Sequence, residues 1–335
     1  MAEKSKSGAP AELPRTDCLV VAVTTPLTPE LRPDADLLLA RCRSLLQDGC
    51  DGITLFGTTG EGAEFAVADR TATLDYVLAG GLDASRLIVS VGAMSIPDVV
   101  ELSTHAMGHS VAGLLLMPPC IYRGGITEDG TFRFFASVIE RISRPDLRLY
   151  LYHFPDISGV PITPNVIRRL DQRYPGQIAG VKDSSGDLDN TEALLRRFSH
   201  LSIYTGSEIH VPQAVASGAR GTICGLANVM PRLMRAMFDA PTPFDRRRFV
   251  PQILAGDNIL SRRPFIPSVK AMIADSTGIG AWRRVLPPMA EVPMLEEQRM
   301  IADFRRWEAS LPYAARSLYR DTEIPDPKVV ALRRG

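Results

Sequence analysis

Short apolar segments rich in β-branched residues alternate along this chain with longer segments of helical period. This order is typical of repeated β-α units, in which a helix connects successive parallel strands of one sheet. Eight units are present, and eight parallel strands predict a closed (β/α)8 TIM barrel. The strands are predicted at residues 18–23, 52–56, 87–91, 113–117, 147–152, 178–181, 201–204 and 221–224. The helices between them are predicted at residues 34–47, 66–78, 96–108, 127–142, 163–173, 188–197, 209–217 and 231–238.

The strand pattern stops after the eighth unit, and the next segments have helical character only. The length of 335 residues exceeds the roughly 250 residues of a typical barrel. A C-terminal helical extension is therefore predicted, with helices at residues 244–261, 264–274 and 293–307. The predicted organisation is a disordered tail at 1–16, the barrel at 17–240, the helical region at 241–309 and a loosely packed tail at 310–335. Alternatively, this last tail braces a subunit interface.

Composition excludes several classes of function. The 38 basic and 38 acidic residues give zero net charge with no long basic run, so we expect a small-molecule partner and no nucleic acid. The apolar runs are too short to span a bilayer, and the polar N-terminus lacks a signal segment, so we expect a cytoplasmic protein that binds no membrane. Five cysteines without a CxxC pair predict reduced thiols rather than disulfides or structural zinc.

Lys182 stands at the end of a buried strand, in the segment QIAGVKDSSGD at residues 177–187. Removing an ammonium group from water favours the neutral amine, which is the nucleophile of Schiff-base enzymes. Lysine is also scarce, since only five lysines occur in the chain. The alternative is a lysine at a strand end whose amine extends to solvent.

Two further strand ends carry reactive groups, and in a β-α barrel these ends surround the active site. The run GTTGEG at residues 57–62 supplies hydroxyls and backbone amides that suit a carboxylate, or forms only a tight turn. Tyr152 supplies a phenol for proton transfer, or packs with its hydroxyl satisfied. Together with Lys182, these groups are the parts needed to form an imine from a 2-oxo acid without any metal.

At these residues the sequence resembles the dihydrodipicolinate synthase and N-acetylneuraminate lyase family of class I, Schiff-base aldolases. The matching motifs occur in family order over about residues 18–290. They are GTTGEG at 57–62, YHFP at 152–155, GVKDSSGD at 180–187, TGSE at 205–208 and ANV at 227–229. The resemblance implies a (β/α)8 barrel with C-terminal helices, usually a homotetramer built as a dimer of dimers, which acts on pyruvate or a pyruvate-derived 2-oxo acid with no metal or other cofactor.

The same resemblance implies a role for individual residues. Lys182 forms the imine, Tyr152 transfers protons, and Thr58 relays protons to Tyr152. Thr59 and the amides of its loop bind the carboxylate of the 2-oxo acid. The implied substrate-binding set comprises Gly57, Thr59, Gly60, Tyr122, Ile157, Gly206 and Ile223, with the carbonyls of Gly206 and Ile223 near the imine.

Two positions depart from the family pattern. Ile157 stands where the dihydrodipicolinate synthases carry an arginine for the second substrate's carboxylate, and an apolar side chain cannot make that contact. The sequence PPCIY at residues 118–122 differs from the family's placement of a tyrosine given to the neighbouring subunit, so either Tyr122 serves or the proton relay is shorter. The leading hypothesis is a lyase for aldol cleavage, condensation or a related dehydration. The alternatives are 4-hydroxy-tetrahydrodipicolinate synthase itself and a catalytically silent barrel that binds a 2-oxo acid.

The remaining histidines give weaker signals. His105 and His109 lie four residues apart on one predicted helix, but no acidic residue completes an HExxH pattern, so we expect a surface or interface role and no metal. His153 follows Tyr152, and strand alternation turns it away from the face that carries the phenol.

Overall fold

The computed structural model describes Leu13 and residues 17–120 and 124–319, and its centre is a closed barrel of eight parallel strands. Each strand pairs with the next along the chain, and the last pairs with the first, with Cys18 opposite Gly221. The predicted (β/α)8 barrel with a C-terminal helical extension is confirmed. The strands are β1 (Cys18–Ala22), β2 (Gly52–Leu55), β3 (Leu87–Ser90), β4 (Gly113–Leu116), β5 (Leu149–His153), β6 (Ile178–Asp183), β7 (Ser202–Thr205) and β8 (Gly221–Cys224).

Helices surround the barrel and begin at the start signals that the sequence predicts. The side chains of Asp34, Ser95 and Thr163 each accept a hydrogen bond from a backbone N–H in the first turn of the following helix. The helices of the barrel are α1 (Ala35–Gln47), α2 (Val67–Ala79), α3 (Ile96–Gly108), α4 (Glu128–Ile142), α5 (Pro155–Ser158), α6 (Pro164–Arg173), α7 (Leu188–Arg197), α8 (Val211–Ala216) and α9 (Pro231–Asp239).

The C-terminal region adds four helices, where the sequence predicted three. They are α10 (Pro243–Arg247), α11 (Val250–Leu260), α12 (Phe265–Thr277) and α13 (Met294–Ala309). The predicted helix at 244–261 is divided because Pro251 lies in the first turn of α11, where its missing N–H costs no hydrogen bond. None of the helices in the described part of the chain has the length and apolar character needed to cross a membrane.

Both predicted tails contain residues that are packed. Leu311, Ala315 and Tyr319 are buried, and the Glu308 carboxylate accepts hydrogen bonds from the backbone N–H groups of residues 317–319 at 2.7–3.0 Å. The prediction of loose packing is therefore wrong for residues 310–319, while 320–335 lie outside the described residues. In the N-terminal tail only Leu13 is described, and it is buried.

Strand alternation divides the buried side chains into two sets. One set fills the barrel interior and includes Tyr150, Tyr152, Tyr204 and Ile223, whereas the other lies between the strands and the helices. Lys182 pairs in register with Tyr152 on one side and with Tyr204 on the other. Residues at one level of neighbouring parallel strands point to the same side of the sheet, so Lys182 belongs to the interior set.

Candidate active site

A cavity of about 550 Å³ opens at the carboxyl ends of the strands. Its walls come from the segments after β2, β5, β6, β7 and β8 and from the C-terminal helices α11 and α12. Seven of the ten predicted site residues line it, namely Thr58, Thr59, Tyr152, Ile157, Lys182, Gly206 and Ile223. The fold thus brings together residues as distant in the chain as Thr58 and Ile223.

Lys182 lies within β6, one residue before its end, rather than after the strand as the sequence predicted. Its side chain is almost entirely buried, with a relative exposure of 5%. The amine Nζ lies 4.1 Å from the centre of the Tyr152 ring, so the phenol face covers one side of the amine. Placement within the strand fixes the backbone, because Lys182 is held between two neighbouring strands. The backbone that carries the amine is therefore rigid at the point where the side chain enters the cavity.

Thr58 connects the phenol to the loop after β2. Its hydroxyl lies 3.3 Å from the Tyr152 hydroxyl, and either group can act as the donor. Because each hydroxyl both donates and accepts, the two form a path along which a proton can move. The path leads from the neighbourhood of the Lys182 amine to the loop at residues 57–62.

The loop at residues 57–62 has an unusual backbone. Phe56 and Glu61 both adopt positive φ angles, 57° and 55°, in the left-handed region that side chains disfavour. Gly62 is required, since a Cβ at this position would lie 1.8 Å from the carbonyl oxygen of Phe56. Thr58–Gly60 form one turn of 3₁₀ helix, and the first N–H groups of such a turn have no partner within it. The N–H groups of Thr58 and Thr59, at the start of this turn, are therefore the loop amides that can donate to a ligand.

Gly57 and Gly60 shape this loop without lining the cavity. The carbonyl of Gly57 accepts hydrogen bonds from the N–H groups of Gly60 and Gly62, at 3.0 and 3.2 Å. The carbonyl of Gly60 accepts from the hydroxyl of Thr25 at 2.7 Å. Three of the loop amides that the sequence offered as carboxylate donors, those of Gly60, Glu61 and Gly62, are therefore occupied within the loop.

A fully buried ion pair joins the same loop to helix α12. The Glu61 carboxylate contacts the Lys270 amine of α12, and both side chains are completely inaccessible to solvent. The second carboxylate oxygen accepts from the N–H of Leu286 at 2.7 Å. Burial lowers the pKa of Lys270, and the neighbouring carboxylate acts against that shift. This pair was not predicted from the sequence, although the scarcity of lysine was a signal for Lys270 as much as for Lys182.

The loop after β6 is fixed by Asp183. One carboxylate oxygen accepts from the Asn190 side chain at 3.0 Å and from the Thr191 hydroxyl at 2.7 Å. The backbone of Gly206 approaches this loop closely, since its N–H donates to the Asp183 carbonyl at 2.6 Å. A Cβ on Gly206 would lie only 2.0 Å from the Ser184 hydroxyl oxygen. Glycine therefore lets β6 and β7 close this side of the cavity.

Two carboxylates that were not predicted from the sequence also line the cavity. Glu208 accepts a hydrogen bond from the N–H of Leu226 at 3.0 Å, and burial raises the pKa of its carboxyl. Asp257 of α11 is close enough to raise this pKa further, whereas the Lys182 amine lowers it. Glu208 belongs to the TGSE motif and was thus visible in the sequence, but Asp257 comes from a helix that no motif marked.

The other predicted residues have different positions. Ile157 lies at the edge of the cavity, with 37% of its surface exposed. His153 is turned away as predicted, and its Nδ1 accepts from the N–H of Ile162 at 3.1 Å. Burial lowers the pKa of His153, which keeps the ring neutral. Tyr122 lies outside the described residues.

A buried lysine beside a phenol, at the carboxyl end of a (β/α)8 barrel, defines the class of lyases that act through a Schiff base. Comparison with known proteins specifies the family. Residues 16–303 match the model of the Dihydrodipicolinate synthetase family, and the chain belongs to this family. The chain is accordingly a class I lyase that forms a Schiff base in pyruvate-dependent aldolase chemistry.

Relatives of known sequence agree with this assignment. The chain is 36% identical over 223 residues to an uncharacterized DapA-like lyase of Chloroflexus aurantiacus, a match that covers 66% of this chain and 74% of that protein. It is 32% identical over 256 residues to 4-hydroxy-tetrahydrodipicolinate synthase 1 of Streptomyces coelicolor, with 76% and 77% coverage.

Solved structures show the same fold. The crystal structure of dihydrodipicolinate synthase from Agrobacterium tumefaciens superposes with a TM-score of 0.80 at 32% identity, over 88% of this chain and 99% of that one. A doubly substituted variant of the Sulfolobus solfataricus 2-keto-3-deoxygluconate aldolase superposes with a TM-score of 0.78 over 87% of this chain and 97% of that one. At 20% identity, this second likeness shows the fold alone.

Proposed function

We propose that Lys182 is the residue that forms the imine with pyruvate or a pyruvate-derived 2-oxo acid, with Tyr152 as its proton-transfer partner. The observation that carries this proposal is the buried amine 4.1 Å from the Tyr152 ring, with the phenol in turn 3.3 Å from the Thr58 hydroxyl. Lys270, the other lysine among the described residues, is paired with Glu61 and does not line the cavity.

The proposed reaction begins when the neutral amine attacks the 2-oxo carbon. A proton passes from the attacking nitrogen to the carbonyl oxygen to give a carbinolamine, and a second proton from the Tyr152 phenol lets this oxygen leave as water. The resulting iminium ion withdraws electrons from the adjacent carbon. Loss of a proton there gives an enamine, and cleavage of the next C–C bond gives the same enamine together with an aldehyde whose hydroxyl proton passes to the phenolate. Thr58 accepts and returns the proton of Tyr152.

We propose that the carboxylate of the 2-oxo acid binds at Thr59 and the start of its 3₁₀ turn. The N–H groups at the beginning of the turn and the threonine hydroxyl are suitable donors to an anion. The loop is rigid because its other amides are used internally and because Glu61 is fixed by Lys270. Rigid donors bind the anion without first having to reorganise.

Exchange of the pyruvate methyl protons with D2O tests the proposal without knowledge of an acceptor, because exchange requires both the imine and the enamine. We expect rapid exchange with the parent protein, loss with Lys182→Arg, and a decrease of about 10²-fold or more with Tyr152→Phe. Arginine keeps the charge and length but does not form an imine. Exchange by Lys182→Arg at the parent rate, followed by proton NMR, would exclude the proposed role.

For the acceptor we propose a neutral polyhydroxy aldehyde, so that the natural substrate class is the 2-oxo-3-deoxy sugar acids. Among the described residues, Lys182 is the only cationic side chain that lines the cavity, whereas Glu208 and Asp257 are acidic. Carboxyl groups, charged or neutral, accept hydrogen bonds from hydroxyl groups, and neither form supplies the positive charge that would offset a second carboxylate. Ile157 at the cavity edge adds no positive charge. The acceptor of dihydrodipicolinate synthesis, aspartate semialdehyde, carries such a carboxylate.

A panel assay separates these substrate classes. We expect pyruvate release from one or more 2-oxo-3-deoxy sugar acids, and little condensation of pyruvate with aspartate semialdehyde. Ile157→Arg is expected to improve the second reaction by supplying a cation at the cavity edge. Efficient condensation by the parent protein would instead identify a 4-hydroxy-tetrahydrodipicolinate synthase and refute the acceptor proposal while leaving the Schiff base intact.

We further propose a homotetramer in the cytoplasm, in which Tyr122 takes part in the proton relay of a neighbouring subunit. The support for the assembly is the family membership, and the support for the location is that the five cysteines, all among the described residues, form no disulfide, as is typical of a reducing compartment. Sedimentation velocity tests the assembly. Tyr122→Phe tests the relay, since a decrease in kcat with an unchanged assembly is expected.

A further inference from the structure

Two neighbouring helices on the outside of the barrel bring three metal-ligating side chains together. His105 and His109 lie one turn apart at the end of α3, and Asp75 lies on α2. The Nε2 atoms of both histidines point at the same oxygen, Asp75 Oδ1, at 2.8 and 2.7 Å. The sequence showed the two histidines but not the acidic partner, because Asp75 comes from a different helix. None of the three lines the cavity at the barrel mouth.

We propose that Asp75, His105 and His109 form a binding site for a divalent transition-metal ion of the zinc type, separate from the Schiff-base site. Two imidazole nitrogens and one carboxylate oxygen are the ligand set that such ions accept, with the remaining positions filled by water. One potential ligand atom from each residue lies within 4.8 Å of the other two. All three side chains are partly exposed, at 29%, 35% and 50%, so an ion can enter from solvent.

Binding of an ion requires only a small change in the distances between the three ligand atoms. Ligand bonds of about 2.0–2.2 Å place neighbouring ligand atoms about 3–3.5 Å apart in a tetrahedral site. The histidine nitrogens are closer than this to Asp75, so each must retreat by roughly half an ångström, which exposed side chains allow. The two rings already stand at 65° to each other with centres 5.1 Å apart. Binding uses the Nε2 lone pairs, and the remaining ring proton then sits on Nδ1.

The arrangement differs from an ordinary surface ion pair on the same protein. His200 contacts Asp171 at 2.9 Å as a single histidine with a single carboxylate, which offers too few ligands to retain an ion. His105 lies in the last turn of α3 and His109, four positions later, is the C-cap residue of that helix, so the helix end sets their separation before any ion binds. His200 therefore supplies a matched control within the same chain.

Calorimetric titration of the untagged 335-residue chain with ZnCl2 tests the site. We expect one Zn²⁺ per chain with a dissociation constant on the order of micromolar. We expect His105→Ala and His109→Ala each to weaken binding by about tenfold or more, and His200→Ala to leave it unchanged. Asp75→Asn keeps the volume but replaces the charged ligand, and it is also expected to weaken binding.

Cobalt gives an independent readout. We expect Co²⁺ to produce a visible absorption band that disappears in the two histidine variants and persists in His200→Ala. Circular dichroism of each variant checks that the helices remain folded. The proposal is overturned if the parent protein takes up no Zn²⁺ below about millimolar concentration, or if His105→Ala and His109→Ala bind as tightly as the parent, which would place the ion on the cysteines or elsewhere.

Discussion

Replacing Lys270 by methionine tests how the loop at residues 57–62 is held. The substitution keeps most of the side-chain volume, but among the described residues it leaves the buried Glu61 carboxylate with the N–H of Leu286 as its one remaining hydrogen-bond donor. Removal of one member of a buried pair typically costs about 3–5 kcal/mol. With an unfolding entropy of about 2.1 cal/mol/K per residue, a chain of 335 residues loses roughly 4–7 °C of thermal midpoint.

A double variant, Glu61→Gln with Lys270→Met, separates the effect of the buried charge from the effect of the changed packing. In Glu61→Gln with Lys270→Met, no buried charge remains at this pair of positions, and the glutamine carbonyl still accepts from the N–H of Leu286. We expect this pair to recover at least half of the lost stability, although kcat stays low because the loop is less rigid. The surface variant Arg144→Met breaks the exposed contact with Asp146 and is expected to leave the midpoint unchanged. Thermal and urea unfolding give the midpoints, and pyruvate kinetics give kcat. A double variant that is less stable than Lys270→Met would refute this reasoning.

Single contacts support three more predictions. Gly206→Ala places a methyl group 2.0 Å from the Ser184 hydroxyl oxygen, so we expect kcat/KM to fall by about 10²-fold with the chain still folded. Burial raises the pKa of the Cys42 and Cys50 thiols to about 12, so at a pH of about 8 a thiol reagent should modify half-buried Cys120 first and the buried thiols only on unfolding. Burial raises the pKa of Glu208 in the folded protein. The neutral carboxyl group therefore makes its full contribution to stability below the pKa that Glu208 has in the unfolded chain, and this contribution is lost as the pH rises through its pKa in the folded protein. Glu208→Gln should therefore become more stable relative to the parent as the pH rises above the ordinary glutamate pKa of about 4, as measured by urea unfolding.

The barrel and most of its catalytic candidates were predictable because they depend on local patterns. Strand alternation and helix-start residues act within a few positions, so the order of elements and the caps at Asp34, Ser95 and Thr163 were readable. Lys182 and Tyr152 were found because each stands at the boundary of a strand. Their pairing in register then follows from the closed order of the strands.

The features that were missed depend on contacts across long stretches of chain. Glu61 and Lys270 are 209 positions apart, and no local pattern indicates that they meet. Asp257 reaches the cavity only because α11 packs over the barrel end, and Asp75 meets the two histidines only because α2 and α3 are neighbours. The tail beyond Ser310 looked loosely packed because its polar composition hides the backbone hydrogen bonds that Glu308 accepts.

Trapping with borohydride tests the central claim most directly, since reduction converts an imine into a stable secondary amine. The protein is incubated with pyruvate and sodium borohydride, digested, and examined by mass spectrometry, with Lys182→Arg as the matched variant. We predict one reduced pyruvate per chain on the peptide that contains Lys182, and none on the peptide that contains Lys270. A folded parent protein that carries no adduct at Lys182, or that carries it at Lys270 instead, would contradict the role assigned to Lys182.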